Sequence, residues 1–222
     1  MGTLLKLIFL LLTAMGVAVP AVGHSFESMT RVWTFDDDLP RTLPANFQVS
    51  TFFNGRPAGD WKVFNTDHAK SSPHVLAQLL GKGAEHAYET VFINGIKASD
   101  LELEVSFLPI EGKAYMGGGL IWRATDDRNY YLTRADPLEQ NIRIYRVFKG
   151  VRYLLKNLDQ IIDVRLWHTL RVSAKGCQVQ VFLDGKEMFN LCDQTFSTGQ
   201  VGLWTKSGAV TYFDDLKLRS MR

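Results

Sequence analysis

The chain has 222 residues, 46% hydrophobic, 12% aromatic and 22% charged, too apolar for disorder and long enough for one substantial core or two small ones. Its 25 Lys+Arg against 23 Asp+Glu give no electrostatic case for nucleic acid or an acidic membrane surface as a partner. Two cysteines exclude both a disulfide-rich scaffold and a thiolate zinc site.

Residues 1–23 read as a signal peptide. Lys6 supplies the positive start, Leu7, Ile8, Phe9, Leu10, Leu11 and Leu12 the apolar centre, and Ala21 and Gly23 the small residues of a cleavage site. A retained anchor is the alternative, but the apolar run falls short of the ~20 residues a span needs and Pro20 interrupts its end. No later segment is long and apolar enough to span. The expectation is a secreted or periplasmic protein, mature over 24–222, with no membrane span after cleavage.

From about residue 30 the apolar pattern has period two. Trp33-Thr-Phe-Asp-Asp-Asp38 near the start and Tyr212-Phe-Asp-Asp-Leu216 near the end share an aromatic–acidic phrase, which places the first and last strands side by side. Leu101, Leu103, Val105 and Phe107 alternate with Glu102, Glu104 and Ser106 in a half-buried strand. Residues 119–124 and 129–134 form a pair across the polar loop 125–128, followed by strands at 142–147, 151–156 and 166–173. Strands 177–183 and 186–191 flank Asp184-Gly185, a strong hairpin signal. Strands at 201–205 and 210–218 complete an all-β chain of two antiparallel sheets, a sandwich or barrel in one domain with its core over about 30–220.

The hairpin also tests the cysteines. With Leu183 facing Lys186, counting outward sets Cys177 opposite Cys192, within disulfide reach at the Cα spacing of about 4.5–5.5 Å of opposed residues. An oxidising compartment favours the bond over two free thiols.

The run Gly119-Leu-Ile-Trp-Arg-Ala, Asn129-Tyr-Tyr-Leu-Thr-Arg, Trp167-His-Thr-Leu-Arg-Val, Val181-Phe-Leu-Asp-Gly and Gly199-Gln-Val-Gly-Leu-Trp resembles the concanavalin A-like lectin/glucanase superfamily. Within it the chain looks like laminin-G-like domains and bacterial 3-keto-disaccharide hydrolase domains. The resemblance implies a jelly-roll sandwich with carbohydrate on its concave sheet. These phrases mark strands and turns and leave the activity open.

Pairing across the 125–128 loop sets Arg123 opposite Tyr130 and Trp122 opposite Tyr131. One face then carries Ile121, Arg123, Tyr130, Leu132 and Arg134. Burying two arginines in a core costs far more than burying Trp122 and Tyr131, so Arg123, Tyr130 and Arg134 are the candidate carbohydrate contacts. The alternative leaves them on the convex, solvated side. Glu102 and Glu104, roughly 6.5–7 Å apart at the strand rise, have the separation of a glycosidase carboxylate pair. Alternating acids on a solvated strand have it too, and the glucanase pattern E-x-D-x-x-E is absent. In superfamily relatives the position of Asp214 ligates calcium, for which Asp36 or Asp38 are further candidate ligands. No other cofactor is required. Three readings follow: a glycan-binding domain without catalysis, a glycoside hydrolase acting on a 3-keto-disaccharide or related glycoside, and a laminin-G-like protein-interaction domain.

Overall fold

The computed structural model describes residues 29–50, 59–79, 88–113, 115–206 and 208–221; the signal peptide expected at 1–23 lies outside them. Among these residues fifteen strands, numbered in chain order, form two antiparallel sheets. The eight-stranded sheet runs β13 (Lys186–Cys192), β12 (Gln178–Leu183), β11 (His168–Lys175), β6 (Asp100–Glu111), β15 (Val210–Met221), β4 (His74–Leu79) and β3 (Asp60–Asn65). β1 (Met29–Trp33) joins it along the second half of β15, setting Trp33 opposite Leu216, so the two ends of the domain pair as expected. The seven-stranded sheet runs β10 (Val151–Asp159), β9 (Asn141–Phe148), β8 (Asn129–Asp136), β7 (Gly118–Asp126), β14 (Gln200–Lys206), β5 (Tyr88–Ile93) and β2 (Phe47–Val49).

The period-two pattern decides which side chains meet between the sheets. On β6, Leu101, Leu103, Val105 and Phe107 are fully buried and enter the main core with Leu120, Trp122, Tyr131, Leu203 and Phe213. Each sheet also carries a smaller apolar cluster on its outer face. Phe92, Ile121, Leu132, Tyr145 and Trp204 lie on the seven-stranded sheet, and Val75, Ala77, Leu108 and Tyr212 on the eight-stranded one.

Two hairpins depart from the simple count. At β12–β13, Asp184 (φ 50°) and Gly185 (φ 79°) make the two-residue turn and Leu183 pairs with Lys186. A bulge after Phe182–Glu187 then shifts the ladder, so that Gln178 rather than Cys177 stands opposite Cys192. The disulfide Cys177–Cys192 forms nonetheless, with Cα atoms 4.7 Å apart. At β7–β8, Trp122 pairs with Tyr131 as counted, but the tip pairs Asp126 with Asn129. Residues 123–125 therefore oppose Tyr130 alone, and Arg123 takes a positive φ of 50°.

Candidate functional site

Cross-strand register arranges the outward side chains of the seven-stranded sheet in rows. One row reads Arg143, Arg134, Gly119, Trp204 and Thr90 across β9, β8, β7, β14 and β5. The next reads Tyr145, Leu132, Ile121, Gly202 and Phe92 on the same strands. A Cβ on Gly119 would come within 2.5 Å of the Thr133 carbonyl oxygen, so glycine is required there. Its bareness leaves no side chain between the guanidinium of Arg134 and the indole of Trp204.

This face is concave. The Arg152 guanidinium carbon lies 4.6 Å from the ring centre of Tyr88 and 4.9 Å from that of Tyr145. Tyr145 is on β9 and Tyr88 on β5, with β8, β7 and β14 between them. Four steps across a flat sheet cover about 19 Å. One guanidinium touches both rings only because the sheet curls around it.

At the β8–β9 end, Arg134 is 3% exposed and makes a branched set of contacts. Its Nη2 lies 2.6 Å from Glu139 Oε2, while Nη1 lies 3.4 Å from Asp136 Oδ2 and 3.2 Å from Asn141 Oδ1. Arg143 reaches the same Glu139 oxygen at 2.7 Å and donates from Nε to Asn157 Oδ1 at 2.7 Å. Asp136 Oδ1 accepts the backbone N–H groups of Leu138 and Glu139, which closes the turn. Burial raises the Asp136 carboxyl, outweighing Arg134 and the turn hydrogen bonds. For Glu139 burial also pushes upward, but Arg134, Asn141 and Arg143 prevail and hold the carboxyl below its ordinary range. Two acids on one guanidinium are thus driven apart. Across the row, the Trp204 indole N–H is buried with no hydrogen-bond partner.

Of the residues singled out from sequence, Tyr130 and Arg134 lie on this concave face. Arg123 does not. The β7 bulge turns it away, and Ala124 takes its place in the outer cluster. Arg123 is 1% exposed and donates to the carbonyl oxygens of Ser99 (2.7 Å), Gly176 (2.8 Å) and Phe196 (3.3 Å), with Asp100 3.4 Å away. Carbonyl oxygens make its burial tolerable at a position where an apolar wall would not.

Glu102 and Glu104 share a face as expected, but it is the outer face of the other sheet. They stand 3.6–3.9 Å from Arg171, Lys217 and Arg219 in a half-exposed ionic lattice. As a carboxylate pair they therefore stand apart from Arg134, because β6 and β8 belong to different sheets.

Two of the acids considered for calcium already carry the protein's own donors. Asp214 is fully buried and accepts from the backbone N–H groups of Lys70 (3.0 Å), Ser71 (2.8 Å) and Asp215 (2.7 Å) and from the Ser71 hydroxyl (2.9 Å). Asp36 accepts from the His74 N–H, and no group of three or more His, Cys, Asp or Glu among the described residues could hold a metal. With its oxygens already carrying four donors, Asp214 does not fit calcium, and Asp36 and Asp38 do not complete a cage around it.

Sequence reasoning passed over Trp204, Gly119, Arg143, Asp136 and Glu139. Gly199-Gln-Val-Gly-Leu-Trp was legible, but only as a fold marker. Nothing local in Asp136-Pro-Leu-Glu139 distinguishes a site from a turn.

No family model matches the chain. A carbohydrate-binding module, CBM66 from Bacillus subtilis, superposes with a TM-score of 0.61 at 21% identity, covering 73% of this chain and 92% of the module. The Bacillus licheniformis beta-glucanase superposes with a TM-score of 0.56 at 12% identity, covering 87% and 98%. The fold is a concanavalin A-like jelly roll. The same jelly roll matches part of a xylan beta-1,4-xylosidase from Bacillus halodurans C-125 with a TM-score of 0.60 at 13% identity, covering 92% of this chain and 42% of the xylosidase. In sequence, 126 residues are 24% identical to a levanase of Bacillus subtilis (strain 168). That stretch is 56% of the jelly-roll chain but only 19% of the levanase.

Proposed function

We propose that the protein is an exported carbohydrate-recognising jelly roll that takes a saccharide on the concave face of its seven-stranded sheet. The row Arg143–Arg134–Gly119–Trp204 carries this reading. It sets fixed guanidinium donors beside a bare glycine and an indole whose N–H lacks an acceptor, suiting a ring with an apolar C–H face and a hydroxyl rim. The names of the relatives supply the probes: levan, β-glucan and xylan. Calorimetric titration of the purified protein should show saturable binding to at least one, weakened at least ~10-fold by Arg143→Ala. Failure of all three to bind, or equal binding by the variant, would sink it.

Hydrolysis is the second reading, supported by the glycoside hydrolases among the structural relatives and by one observation at the site. Asp136 and Glu139 share Arg134 while their proton affinities are driven in opposite directions, the arrangement that separates an acid from a base. Asp136 would donate its proton to the glycosidic oxygen, and ionised Glu139 would attack the anomeric carbon or activate water. Binding is placed first because Asp136 spends one carboxylate oxygen capping its own turn on the Leu138 and Glu139 N–H groups. Release of reducing sugar from any of the three polymers, abolished by both Asp136→Asn and Glu139→Gln, would move hydrolysis to the front.

A further inference from the structure

We propose that the opposite side of the sandwich holds a second binding site, a pocket for an aromatic carboxylate on the outer face of the eight-stranded sheet. The cavity measures about 470 Å³ and is lined by His68, Leu108, Ile110, Arg165 and Tyr212. It lies between the β3–β4 loop, which carries His68, and the β10–β11 loop, which carries Arg165. Leu108 and Ile110 reach it from β6 and Tyr212 from β15, where Tyr212 pairs with Leu108.

The pocket is held in shape from several directions. Asp214, on the same face as Tyr212, pins the His68 loop through Lys70 and Ser71. The Trp167 indole N–H donates to the His68 carbonyl oxygen at 2.9 Å, tying one loop to the other. The Arg165 backbone N–H donates to the Pro109 carbonyl oxygen at 3.2 Å, and Arg165 holds a positive φ of 60°. The Tyr212 ring is backed by Phe64, with centres 5.7 Å apart. Walls fixed in advance spare a ligand the cost of ordering them.

Its chemistry selects the ligand. Leu108, Ile110 and the Tyr212 ring offer an apolar slot with no hydrogen-bonding partner along the aliphatic floor. A sugar seated there would strip water from hydroxyls and leave them unpaired, whereas a flat aromatic ring loses nothing and stacks. The lining also carries a guanidinium and an imidazole, from Arg165 and His68, and the described lining includes no Asp or Glu. The Arg165 guanidinium has no partner among the described residues. Two cationic or donor groups over an apolar slot match a carboxylate on an aromatic ring.

The test is titration of the ¹⁵N-labelled protein with benzoate, 4-hydroxycinnamate, benzamide and glucuronate. Saturable shifts at the His68, Arg165 and Tyr212 amides are expected with the two aromatic acids, and benzamide should bind about tenfold more weakly. Arg165→Ala should cost at least about tenfold, and Ile110→Trp, checked for an unchanged amide spectrum elsewhere, should fill the slot and abolish binding. Absence of saturable binding by both acids, benzamide equal to benzoate, or an unaffected Arg165→Ala each overturns the site; tighter binding of glucuronate overturns the ligand class. Arg143→Ala, on the other sheet, should leave these affinities unchanged, so failure here and failure of the saccharide reading are told apart.

Discussion

Glu89 points inward from β5 into the space between the sheets, fully buried opposite Thr205, and accepts a hydrogen bond from Gln78 of β4. Its Oε1, the Gln78 side-chain Oε1 and the Trp61 indole N–H have no partners. Burial alone pushes this carboxyl from 4.5 up to about 8. Between those limits the folded state holds a proton that the unfolded chain releases, so stability falls as pH rises from about 5 to 8 and levels off above. The full window corresponds to roughly 3–5 kcal/mol. Urea midpoints at pH 5.5 and 8.5 should therefore separate by more in the wild type than in Glu89→Gln, which stays neutral at the same volume. Equal separations would refute a buried neutral acid. Arg123 makes the converse case. Arg123→Met would strand three carbonyl oxygens and Asp100, and should cost ~3 kcal/mol or more in denaturant unfolding.

Among elements, the β12–β13 hairpin shows how far a turn determines a strand. Asp184-Gly185 sets Leu183 against Lys186, and the bulge then displaces Cys177 by one place without taking it out of reach of Cys192. The two cysteines are 15 residues apart in sequence, and closing a loop of that length stabilises by about 3 kcal/mol when the unfolded chain is fully open. Reduction, or paired Cys177→Ser and Cys192→Ser, should lower the melting temperature by several degrees; an unchanged melting temperature would show that this edge hairpin opens before the rest. The β7–β8 hairpin marks where counting fails. Trp122 and Tyr131 pair as alternation requires, because both rings must enter the core. The extra residues at 123–125 carry no sequence mark, since Arg123 departs from the regular strand only where distant carbonyl oxygens of Ser99, Gly176 and Phe196 receive it. The strands from Asp100 onward and the Asp184-Gly185 turn were legible from local periodicity, and the pairing of β1 with β15 from the aromatic–acidic phrase they share, whereas β2, β3, β4 and β5 were not singled out. The site was half legible: Tyr130 and Arg134 share a face by register, whereas Trp204 joins them only through sheet order and Glu139 only through the turn that Asp136 closes.

At the scale of the molecule, the acids of the eight-stranded sheet's outer face divide into those that hold the fold and those that face solvent. Glu102 and Glu104 belong to the second kind, half-exposed among cations. Asp214 belongs to the first, and it bears on whether the jelly roll needs a metal. An ion bound only to the folded state raises the melting temperature with its concentration. Calcium at Asp214 would have to displace four hydrogen bonds, three of which anchor the 66–73 loop, with no group of three or more candidate ligands among the described residues to share the coordination. The melting temperature should therefore be the same, within about a degree, in excess chelator and in millimolar calcium. Asp214→Asn keeps the shape but turns one acceptor oxygen into a donor facing backbone N–H groups, and it should destabilise the protein by ~1–3 kcal/mol whether or not calcium is present. If calcium raised the wild-type melting temperature and Asp214→Asn erased that rise, the loop would be held by the ion and not by the hydrogen bonds.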